Sequence, residues 1–86
     1  MKIIKKDGTV EGWNGEKIKE AVYKAAARVN QYVEPDVLNK LVEKVHSCLI
    51  IDRDVPTKDL HKEVIHYLKH FGLTDVANSY QEYRDY

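Results

Sequence analysis

A chain of 86 residues is room for one small domain with a single core, and a zero formal net charge argues against a nucleic-acid binder, which at this size more often carries a strong positive excess. No apolar run approaches the roughly 18 residues of a membrane span, and Met1 is followed by a lysine and only two isoleucines, far short of a secretory leader. The one cysteine, Cys48, excludes an internal disulfide and fits a reducing, cytoplasmic setting.

In chain order, the first signal is a hairpin. Residues 2–5 and 10–13 are short apolar-and-polar runs of strand type, and Asp7-Gly8 between them supplies the residue types that tolerate positive φ. Asn14 has the chemistry of an N-cap for a first helix over 15 to about 29, whose buried face takes Ile18, Ala21, Val22, Ala25 and Val29. Asn30 and Gln31 break that pattern. Glu34-Pro35 fits the opening of a second helix ending near Ile50, with Leu38, Leu41, Val42, Val45 and Leu49 as its apolar stripe. The run IIDRDVP is β-branched and polar by turns and offers a short third strand, Val55 being biased to an extended conformation by Pro56. Thr57 reads as the N-cap of a third helix with Leu60, Val64, Leu68 and Phe71 on its buried side, and Gly72 stands where a left-handed C-terminal cap belongs. Thr74 opens a fourth helix, in which Val76, Ala77, Tyr80 and Tyr83 recur at core spacing. The ending YRDY carries no stop signal, so the expectation is an N-terminal piece of a longer chain. The sum is an α+β domain, a short N-terminal hairpin or three-stranded sheet covering a bundle of four helices.

The chemistry concentrates in residues 5–18. The ammonium groups of Lys5, Lys6 and Lys17, with the free amides of a helix N-terminus, converge on whatever lies against the hairpin, which suits a polyphosphate. On its own KKDG is also an ordinary solvated turn, since lysines flank exposed turns routinely. Other clusters are weaker. His66 and His70 share a helix face but have no acidic or thiolate partner for a metal. His46 and Cys48, two apart on a helix, point in different directions, and a buried, inert thiol is the expectation for Cys48. Trp13, just before the N-cap, reads first as a core or staple residue. No nucleophile, base and orienting group are spaced together, and no glycine-rich phosphate loop is present, so the domain itself is read as non-catalytic.

Three separated runs carry a resemblance. The first is Lys5, Lys6, Asp7, Gly8, Glu11, Asn14, Lys17 and Ile18; the second is Val55, Thr57, Leu60 and His61; the third is Val76, Ala77, Tyr80, Tyr83 and Arg84. In this order they resemble the ATP-cone, a nucleotide-sensing domain found mainly at the N-terminus of ribonucleotide reductases, and the likeness covers nearly the whole chain. The ending YQEYRDY looks closest to the cones of anaerobic ribonucleoside-triphosphate reductases. One departure is Lys6, where the family usually has arginine; a lysine keeps the charge and loses the planar fork that grips phosphate in bidentate fashion.

The resemblance implies that ATP or dATP, with magnesium, lies between the hairpin and the helices as an allosteric effector. Lys5, Lys6 and Lys17 would neutralise the triphosphate, with Thr57, His61 and Arg84 joining them. Glu11 and Asn14 would read the adenine edge, and Ile3 or Trp13 would support the base. The implied partner is the catalytic domain of the same reductase or another subunit, with Tyr86 a candidate for that interface and oligomerisation the output. The alternatives are the cone of a nucleotide-responsive transcriptional repressor, whose zinc ribbon one cysteine could not build, or a stand-alone interaction module.

Overall fold

The computed structural model describes residues 2–49 and 54–84, the side chains of Tyr83 and Arg84 excepted. In chain order it forms β1 (Lys2–Ile4), β2 (Val10–Gly12), α1 (Gly15–Arg28), α2 (Pro35–Leu49), β3 (Val55–Pro56), α3 (Thr57–His70) and α4 (Thr74–Arg84). The α+β reading holds, and the open choice between hairpin and three-stranded sheet falls to the sheet. The expected helix end at Ile50, the start of the IIDRDVP run and Tyr86 lie outside the described residues.

β1 is the middle strand, antiparallel to β2 and parallel to β3. Ile3 therefore faces Glu11 on one side and Val55 on the other. Gly8 takes up the left-handed conformation (φ 87°) that the hairpin turn requires. Asp7 contributes differently: its Oδ1 accepts from the backbone N–H of Thr9 at 3.0 Å and from the Thr9 hydroxyl at 2.7 Å. Those two bonds, the hydroxyl one foremost, hold the Asp7 carboxyl below the ordinary carboxylate range. Pro56 can end the sheet because β3 is an edge strand and needs no further donor.

Helix ends follow the local chemistry, with one exception. Asn14 accepts from the Lys17 backbone N–H at 3.3 Å and caps α1. At the other end of α1, Asn30 adopts positive φ (53°), and Gln31 N–H reaches back to the Ala26 carbonyl at 2.9 Å while Asn30 N–H bonds Ala27. The same paired closure recurs after α3, with Gly72 at φ 79°, Leu73 N–H on Leu68 and Gly72 N–H on Lys69. The exception is Thr57. It is not the N-cap of α3; extended Pro56 holds that position without a side-chain bond, because strand pairing of Val55-Pro56 runs straight into the helix. The Thr57 hydroxyl instead donates to the Ile4 carbonyl at 2.9 Å and ties α3 to the middle strand.

The core gathers Ile3, Ile18, Val22, Leu38, Leu41, Val45, Val64, Leu68, Val76 and Tyr80 from every layer. The expected stripes are all represented, with Ala21, Val29, Val42, Leu60 and Phe71 partly buried at their margins. Ala26 and loop residue Val33 are buried as well, beyond what periodicity indicated. The alanines of α1 let α4 approach, and the buried Ser79 hydroxyl donates to the Ala25 carbonyl at 2.8 Å. Gly15 is a second close approach: a Cβ there would stand 3.0 Å from Val42 Cγ1. The expectation of a buried Cys48 is corrected. The thiol is exposed, and its sulfur lies 2.8 Å from Tyr67 Oη across the α2–α3 seam, because position 48 flanks the Val45–Leu49 stripe instead of joining it. That bond, with burial second, raises the Tyr67 phenol above its usual value. His46 turns away from Cys48, as helical spacing required, and packs its ring on Trp13.

Two measurements check this arrangement. Leu41→Ala, at a fully buried site, should cost about 2–5 kcal/mol in urea unfolding. Gly72→Ala, forced to positive φ, should cost about 1 kcal/mol, whereas Asn30→Gly should be neutral within about 0.5 kcal/mol.

Candidate functional site

A cleft of about 710 Å³ opens between the hairpin, the first half of α1, α3 as far as Ile65 and the middle of α4. That volume suits a small-molecule ligand. Its floor is apolar: Ile3 and Ile18 are buried, Ala21, Leu60 and Ile65 partly so, and Tyr80 closes it from α4. Its rim is cationic. Lys5 and Lys6 come from the turn after β1, Lys17 from the first turn of α1, and Lys58 and Lys62 from α3, against two lining carboxylates among the described residues, Asp7 and Glu11.

Ile3, Lys5, Lys6, Glu11, Asn14, Lys17, Thr57 and His61 all line this one cleft, although they are scattered over four elements and the two segments that join them. Arg84 falls in α4, and its side chain lies outside the described residues. Trp13 lines the cleft while stacking on His46, ring centroids 4.7 Å apart, so it is both a packing residue and a wall. His61 meets the Tyr80 ring edge-on at 5.8 Å, which fixes the imidazole at the α3–α4 side.

Hydrogen bonding limits what several of these groups offer. The Asn14 Oδ1 is engaged as the helix cap, so its amide nitrogen is the more available recognition group. The Thr57 proton is committed to Ile4, leaving its oxygen as an acceptor in this rotamer. Glu11 is the most engaged of all: its Oε2 lies 3.1 Å from Lys17 Nζ and 3.5 Å from Lys5 Nζ. The Lys17 hydrogen bond, supported by the charges of both lysines, holds the Glu11 carboxyl below the ordinary carboxylate range.

Lys58 and Lys62 were not singled out from the sequence. A signal was present, because they stand four apart and adjacent to Thr57 and His61, so all four share one flank of α3. Only the placement of that flank against the hairpin makes it a wall of the cleft. Among the described residues no group of three or more His, Cys, Asp or Glu is arranged to hold a metal, and His66 and His70 contact the neighbouring rings of Tyr67 and Phe71.

An apolar floor with a cationic rim has the chemistry to accept a ligand with an apolar part and an anionic part. The comparisons with known proteins agree. No significant match to a curated protein was found. The family model described as "ATP cone domain" matches residues 1–86, the whole chain. A match that runs from end to end places this protein in the ATP-cone family of nucleotide-binding regulatory domains.

Proposed function

We propose that this domain senses adenine nucleotides for a ribonucleotide reductase, binding ATP or dATP with magnesium on the phosphates and converting occupancy into a changed surface for assembly. The carrying observation is the cleft, where the cations of the hairpin and α1 face the Thr57–His61 flank of α3 over the Ile3–Ile18 floor. Lys5, Lys6 and Lys17 neutralise the triphosphate, and Glu11 and Asn14 face the base. The Glu11 carboxylate accepts from the exocyclic amino group of adenine, a donor that guanine does not offer at that position. Support for the reductase assignment comes from the ending YQEYRDY, which resembles the Tyr-x-Glu-Tyr-Arg run that joins the cone to the catalytic barrel in anaerobic ribonucleoside-triphosphate reductases. On this reading the domain is cytoplasmic, performs no chemistry itself, and acts on the catalytic domain of the same chain or on another subunit.

Regulation by two similar ligands requires that they favour different arrangements, since a ligand of equal affinity for both states shifts nothing. The difference between ATP and dATP is a single hydroxyl, so the assembled surfaces must differ by what that group touches.

Calorimetric titration with ATP, dATP and GTP in magnesium, with light scattering on the same samples, tests the proposal. Saturable binding of the adenine nucleotides alone, and a mass change that differs between ATP and dATP, is the expected outcome. Duplex DNA binding with a steep salt dependence would instead favour a repressor. Lys17→Ala should weaken ATP binding by roughly tenfold or more, the scale of one charged hydrogen bond. Unchanged ATP affinity in that variant would remove Lys17 from the site.

A further inference from the structure

We infer that Glu11 is a resident counter-anion of the cleft: it occupies the ammonium groups that phosphate needs, and so makes polyphosphate affinity conditional on the base that arrives with it. This rests on the reading of the cleft as an adenine-nucleotide site and adds how that site selects its ligand.

The geometry points there. One carboxylate oxygen, Glu11 Oε2, takes two lysines from two separate elements, Lys17 at 3.1 Å and Lys5 at 3.5 Å. Among the described residues, the other cleft lysines, Lys6, Lys58 and Lys62, make no ion pair with a carboxylate. The cleft's lysines therefore divide into a pair that shares one carboxylate and a set that has no ion pair. Glu11 faces Ile3 across the sheet, so the carboxylate is anchored over the apolar floor where a base would lie.

Consider what each ligand does to this arrangement. A bare polyphosphate can take Lys5 and Lys17 only by stripping both from Glu11, which leaves a carboxylate without a partner beside new negative charge. An adenine nucleotide brings its own replacement. As its phosphates take the lysines, the exocyclic amino group donates to the freed carboxylate, so every group released finds a partner. Guanine presents a carbonyl at the corresponding position, and oxygen then faces oxygen there. Recognition of the base is in this way converted into affinity for the phosphates, although the two ends of the ligand never touch the same cation. The lysine–glutamate pairs are partly exposed and each is weak, so the gate is a bias of several-fold and not a lock.

The experiment titrates tripolyphosphate, ATP and GTP into the 86-residue chain and into E11Q, with E20Q as a control. Glu20 is an exposed residue of α1 outside the cleft and removes the same net charge. E11Q should bind tripolyphosphate roughly three- to tenfold tighter than the parent, with a smaller preference for ATP over GTP, while E20Q stays within about twofold of the parent for tripolyphosphate. Equal or weaker tripolyphosphate binding by E11Q overturns the inference, and so does an equal gain in E20Q, which would make the effect one of net charge. If the parent chain binds ATP and E11Q shows no gain for tripolyphosphate, only the gate is lost. If neither protein binds ATP or tripolyphosphate, the nucleotide site itself is rejected and the gate with it.

Discussion

The parallel pairing of Ile3-Ile4 with Val55-Pro56 is the contact on which the cleft depends. The hairpin and α1 carry one wall, and α3 carries the other. What joins them directly is a two-residue strand and one hydroxyl, the Thr57 bond to the Ile4 carbonyl, worth about 0.5–1.5 kcal/mol, while α4 packs on both α1 and α3 behind them. A parallel pair cannot be closed by a tight turn, so α1 and α2 serve as the crossover that brings Val55 back beside Ile3. The burial of Ile3, Val55, Ile18 and Val64 beneath that junction supplies most of its strength.

Over this frame the charges are segregated without giving the molecule a net charge. Five lysines line a cleft whose carboxylates, among the described residues, are Asp7, bound to Thr9, and Glu11, bound to Lys5 and Lys17. A formally neutral chain can therefore hold a local field strong enough for a polyanion. Net charge argued against nucleic acid as a partner, and it said nothing about this local concentration.

What was legible in the sequence was what is decided locally. Asn14 caps α1 because an amide oxygen three residues before an orphan N–H needs nothing else, and Gly72 ends α3 because positive φ at a helix end favours glycine wherever that helix packs. The helix stripes were equally local, and eight of the nine residues singled out for the site share one cleft. The misreadings were of residues whose role is set by a distant partner. Thr57 has the chemistry of a cap and was diverted by a strand far back in the chain. Cys48 is of a type usually buried and was turned outward by the rotation of α2 against Tyr67. Lys58 and Lys62 look like any solvated helix lysines until the hairpin is placed opposite them.

The bond between Thr57 and Ile4 joins positions 53 residues apart. At the roughly 5–20 residues per second of ribosomal synthesis, β1 waits on the order of 3–10 seconds before its second neighbour exists. During that interval the strand presents an unpaired isoleucine edge, the kind of template that recruits other chains. Lys2, Lys5 and Lys6 flank that edge on both sides. Charge at this position deters intermolecular pairing, so Lys5 and Lys6, whose ammonium groups suit a polyphosphate in the finished fold, also join Lys2 in guarding the nascent strand until its partner arrives.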